Sequence, residues 1–145
     1  CTDALNASEL LSVAKPEFAS ELARIRYQEL CSVTVLLKRD LRPLQRSFGV
    51  LIPENAGFNS IGILNNKAIF PVNSENLLSF TFIAKTKLQE DDILHDIKLL
   101  SPEFESLDVE HFDINHWEKA LPIYDLQRFL SVKKLHQLAH KEDQL

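Results

Sequence analysis

The amino-acid sequence predicts an α+β domain: one mostly antiparallel sheet, a meander of about four to six strands, with helices packed on it. Three observations carry that reading. Apolar residues recur at helical spacing up to Ile25, and from Cys31 to Ala84 the period shortens to two. An acid-led helical stretch then begins at Glu90. The change of period separates the classes, because a helix buries every third or fourth side chain and a half-buried strand every second.

Asn6 followed by Glu9 resembles a capping box and opens a short helix through Leu10, Leu11 and Val13. Lys15-Pro16 starts a second helix, since the missing N–H of proline would have had no intrahelical partner there. Phe18, Leu22 and Ile25 bury one face of it. "CSVTVLLKRD" then alternates Cys31, Val33, Val35 and Leu37 against Ser32, Thr34, Leu36 and Lys38, which is a strand. "FGVLIP" and "SIGILNNKAIF" are two more, joined by "ENAGFN", whose Asn and Gly suit a hairpin turn. "NLLSFTFIA" is a fourth, and the four segments read as an antiparallel meander. Glu90, Asp91 and Asp92 favour the positive end of a helix dipole. That helix carries Ile93, Leu94, Ile97 and Leu100 and ends at Pro102. "LDVEHFDI" reads as a last strand, and after "ALPIY" the residues Phe129, Val132, Leu135 and Ala139 mark the apolar face of a final helix.

At 145 residues the chain fits one domain with a sizeable core. A formal charge of −5 argues against a nucleic-acid partner. No apolar run approaches the roughly 18 residues that a membrane span needs, and no signal peptide is recognisable. Cys1 and Cys31 are too few for a disulfide framework, so a reducing cytoplasm is expected. The three glycines, Gly49, Gly57 and Gly62, leave no Gly-rich loop to cradle phosphates. The chain begins with Cys1 and has no Met. Helix signals follow that cysteine directly, which favours an internal piece of a longer protein. The alternative is a stand-alone α+β binding or interaction domain, a lipoprotein acylated at Cys1.

The polar constellations are weak. In "HQLAH", His136 and His140 share a helix face at the spacing of a zinc-protease pair, but Gln137 replaces the general-base Glu and no third ligand is evident. His111, Asp113 and His116 in "HFDINH" fit solvated strand residues better than a metal site. Lys38, Arg39, Arg42 and Arg46 form a basic connection that could hold an anion or simply face water. No metal site and no catalytic acid, base or nucleophile is expected.

Two stretches carry a family resemblance. "SFGVLIPENAGFNSIGILNNKAIFP" and "HWEKALPIY" resemble, in order and spacing, segments of the substrate-binding domain of protoporphyrinogen oxidases, in the flavin-containing amine oxidase superfamily. The opening residues to Arg39 look like the helices and strand that enter that domain. The resemblance implies that residues 1–145 form a single substrate-binding domain without the FAD-binding Rossmann segments. FAD would be held by another domain of the parent chain, and the piece alone would neither bind FAD nor catalyse. The parent would pass a hydride from an apolar small molecule to the flavin. By matching position, Phe48, Leu51, Ile61 and Phe82 would line the substrate cavity and Trp117 would lie near the flavin. Phe48 and Leu51 have opposite parity, so an ideal strand cannot aim both at one cavity; each lining position could equally be sheet core. Leu126-Gln127-Arg128 and Asn65-Asn66-Lys67 depart from the family pattern and put a porphyrinogen substrate in doubt. The parent is expected in the cytoplasm, either free or associated with a membrane. The apolar face left bare would make the piece self-associate.

Overall fold

A computed structural model describes residues 2–70 and 78–142. Cys1, Pro71 of the "AIFP" motif and the Asn76-Leu77 start of the fourth strand segment lie outside the described residues. Two compact units emerge, residues 29–118 and residues 1–28 with 119–145. As expected, the architecture is α+β, with five helices and a five-stranded sheet among the described residues.

The larger unit is built on alternation. Strand β1 (Tyr27–Leu37) buries Cys31, Val33, Val35 and Leu37 and leaves Ser32, Thr34 and Leu36 on its other side. Strand β4 (Leu78–Ala84) does the same with Phe80, Phe82 and Ala84. The two pair antiparallel, Val33 opposite Phe82 and Val35 opposite Phe80, so the inward side chains meet in one layer. β2 (Gly49–Leu51) and β3 (Gly62–Asn65) form the expected hairpin, and β3 pairs with β4. Helix α4 (Glu90–Leu100) adds Ile93 and Ile97 to this core, which Leu41, Leu44, Leu88 and Phe104 complete.

The strand order is β2-β3-β4-β1-β5, not the simple meander expected. β1 lies beside β4 instead of β2, an order of Greek-key type. The connection over residues 38–48 is too long for a tight hairpin and contains the 3₁₀ turn Arg42–Leu44. It is tied down where Lys38 Nζ donates to Leu107 O and Arg39 to Glu103 O. Freed from a hairpin, β1 takes the partner whose inward Phe side chains match its Val residues.

Other elements shift in bounds. The strand expected through Phe70 stops at Asn65, whose side chain accepts from Ala68 N and caps the short helix α3 (Asn66–Ile69). The last strand, β5 (Val109–Pro122), runs well past Ile114 and includes Trp117. Its burial does not alternate cleanly, as befits an edge strand with a partner on one side only.

The smaller unit contains three helices. α1 (Ala4–Leu11) is capped by Asp3, whose carboxylate accepts from Leu5 N and Asn6 N, and not by Asn6. A carboxylate also suits the positive helix end, and Leu10 and Val13 stay exposed. α2 (Pro16–Leu22) starts with proline as expected and buries Ala19, with Ile25 buried just beyond it. In α5 (Leu126–Glu142) the buried stripe is Ser131 and Leu138 with half-buried Leu135, while Phe129 and Ala139 are exposed. The expected face was rotated because a serine forms part of it, satisfied by Gln127 Nε2 at 3.1 Å.

Candidate functional site on the open face of the sheet

The alternation that fills the core also defines a second face on the larger unit. Because paired residues point to the same side, the register places Leu51, Gly62, Ile83 and Ser32 in one row across β2, β3, β4 and β1. Gly49, Leu64, Thr81 and Thr34 form the next row. All lie opposite the buried Val33, Ile63 and Phe82. The side chains here are only partly buried, half aliphatic and half hydroxyl.

Those hydroxyls are linked. Thr34 Oγ1 and Thr81 Oγ1 are 3.1 Å apart, and Asn66 Nδ2 donates to Ser79 Oγ and Thr81 Oγ1, both at 2.9 Å. At the β5 edge, Trp117 Nε1 donates to Ser32 Oγ at 3.2 Å, which brings the indole to this same face although it is 57% exposed. Gly49 keeps the hairpin flat: a Cβ there would come within 2.6 Å of Ile63 O. The result is a shallow surface of Leu, Ile, Thr, Ser, Asn and Trp. None of its positions from Ser32 to Leu36, nor Leu51, Leu64, Ser79, Thr81 or Ile83, carries a titratable group. Such a surface suits a flat, neutral, largely apolar partner, with hydroxyls to accept or donate where one polar group needs orienting.

The residues expected to line the site divide between the two faces. Leu51, 88% exposed, and Trp117 share the open face, at opposite edges roughly 19 Å apart if four strand spacings separate them. Phe82 points the other way and is fully buried in the core. Ile61, whose N donates to Ile83 O at 2.7 Å, has the parity of the core residue Ile63 and is half-buried. Phe48, 71% exposed, lies opposite Asn65 on that parity too. Ser32, Thr34, Ser79, Thr81 and Asn66 were not singled out in the sequence. The signal was the Ser/Thr placed at every second position of "CSVTV" and "SFTF".

The remaining constellations are mostly structural. His136 and His140 are exposed on α5, and among the described residues no group of three metal-ligating side chains converges. His116 Nε2 lies 3.1 Å from Glu29 Oε2, and Asp113 accepts from Asn115. Arg39 pairs with Asp108, which holds the Asp108 carboxyl below its ordinary range and raises the guanidinium. Asp96 of α4 is fully buried and accepts from Asn59 N, Ser60 N and Ser60 Oγ, fastening the loop that leads into β3.

No family model matches the chain, and no curated protein matches it in sequence. Solved structures do match. Reduced UDP-galactopyranose mutase superposes with a TM-score of 0.59 at 13% identity, over 82% of this chain and 27% of the other. The structure described as a "Putative protoporphyrinogen oxidase from Exiguobacterium sp. 255-15" gives 0.64 at 12% identity, over 94% of this chain and 32% of the other. The fold is shared. At these identities the likeness speaks for the fold alone, and the chain spans a third or less of either protein.

Proposed function

We propose that this chain is the substrate-facing domain of an FAD-dependent oxidoreductase and covers the flavin ring and an apolar substrate with its open sheet face. The observation that carries the reading is that face: half apolar, half hydroxyl, without titratable side chains at its positions on β1 to β4, on a fold seen as a portion of two larger proteins.

The described residues do not fit the phosphates of FAD. A pyrophosphate needs glycine backbone at a helix N-terminus. Here Gly49 and Gly62 lie in strands, and Gly57 sits in the β2–β3 loop at φ +80°. The dinucleotide would therefore be held by an FAD-binding domain of the parent chain. A flat ring needs only a cover, and Leu51, Leu64, Ile83 and Trp117 offer one. FAD, when bound, would accept the hydride. These residues exclude water and set the substrate's plane, while Thr34, Thr81 and Asn66 orient its polar group. Asn66, where the family usually has Asp-Ser-type residues, makes that anchor a neutral amide.

Titrating residues 1–145 with FAD tests this division of labour. No stoichiometric binding is expected, because the phosphate site lies elsewhere. Tight retention of one flavin per chain would overturn it.

A further inference from the structure

We propose that the larger unit holds a second, separate ligand site, a cavity that takes a small monoanion with an apolar body, clamped between Arg46 and Lys67. The basic connection over residues 38–46 is out of place in a chain of formal charge −5, and the structure sorts its cations by use. Lys38 Nζ is spent on Leu107 O, and Arg39 on Asp108, Glu103 O and the face of Phe104. Arg42 has no side-chain partner among the described residues and does not line the cavity below; the side chains of Arg46 and, on α3, Lys67 have no ion pair or hydrogen bond among the described residues either. Both line one cavity of about 410 Å³, together with Asp40, Gln45, Leu78 and Phe80.

That volume lies within the range of small-molecule sites, roughly 300–1,000 Å³. The lining is of two kinds. Phe80 and Leu78 are apolar, and Asn65 is fixed by donating to Leu44 O at 3.1 Å. Arg46 and Lys67 with the Asp40 carboxylate add two cations and one anion, a net single positive charge. Two exposed cations without a partner among the described residues, beside apolar side chains, fit a carboxylate on a hydrocarbon or aromatic body better than a fully hydrated inorganic anion. Phe80 pairs with Val35 on the inward side of the sheet, so this cavity is on the opposite side from Thr34 and Thr81. The inference stands whether or not the flavin reading does.

Calorimetric titration of the 145-residue chain with benzoate, hexanoate and inorganic phosphate is the test. Benzoate and hexanoate should bind saturably, with Kd roughly millimolar, and more tightly than phosphate. The pair R46Q/K67Q should weaken benzoate binding about tenfold or more. Ala68 also lines the cavity; Ala68→Phe, which fills it without changing charge, should abolish binding, and Lys38→Gln should leave it unchanged. Far-UV circular dichroism confirms that each variant is folded. Phosphate binding more tightly than benzoate, no saturable binding of either at tens of millimolar, or unchanged affinity in R46Q/K67Q would each overturn the proposal.

Discussion

Asp96 shows how one buried polar side chain can set a loop. Its carboxylate has no solvent exposure, yet it accepts from two successive backbone N–H groups and the Ser60 hydroxyl. Asp96→Asn keeps the shape but turns one acceptor into a donor facing an N–H. The variant should lose about 1–3 kcal/mol in urea unfolding, the cost of leaving a buried donor unsatisfied. Wild-type stability in that variant would contradict the role. The exposed pair Arg39–Asp108 makes a pH prediction of definite sign. The folded-state pKa of Asp108 is depressed, chiefly by its hydrogen bond to Arg39 and then by the backbone N–H of Glu105. Its stabilisation is present above the ordinary carboxylate pKa and lost as pH falls through the depressed value. The acid limb of the stability profile should therefore be shallower in Arg39→Gln. Asp125, depressed by the Arg128 N–H and by Arg26, should keep its share in that variant.

At the scale of elements, the period of two was legible where both faces of a strand differ. Val33 and Val35 against Ser32 and Thr34, and Phe80 and Phe82 against Ser79 and Thr81, gave β1 and β4 and the direction of the core. Their order in the sheet was not legible, because no residue in 38–48 announces which partner β1 will take. The cap was placed at Asn6 instead of Asp3 because both are capping residues, and the face of α5 was misplaced because only apolar side chains were counted towards it, whereas Ser131 is buried with a hydrogen-bond partner. β5 was cut short because an edge strand has no strict alternation to reveal its length. Of the candidate site, Leu51 and Trp117 share the open face while Phe82 does not, and parity separates their predicted effects. Phe82→Ala should destabilise by about 3–5 kcal/mol as a core truncation. Leu51→Ala, at an exposed position, should change stability by less than about 0.5 kcal/mol. Chemical denaturation of both variants checks the assignment, and equal losses would contradict it.

For the whole molecule, the unit over residues 29–118 carries both candidate sites, one on each side of its sheet. The smaller unit contributes helices whose fold follows from a proline start, an Asp cap and a mixed Ser/Leu stripe. The central claim is that the open face covers a flavin held by other parts of the same protein. Flavin absorbance and Trp117 fluorescence, recorded on protein purified from the full reading frame that encodes residues 1–145, test it most directly. A bound flavin that quenches Trp117 is expected, so that releasing the flavin restores emission and Trp117→Phe removes the response. A full-frame protein that purifies without flavin, or a Trp117 whose emission is indifferent to flavin release, would contradict it.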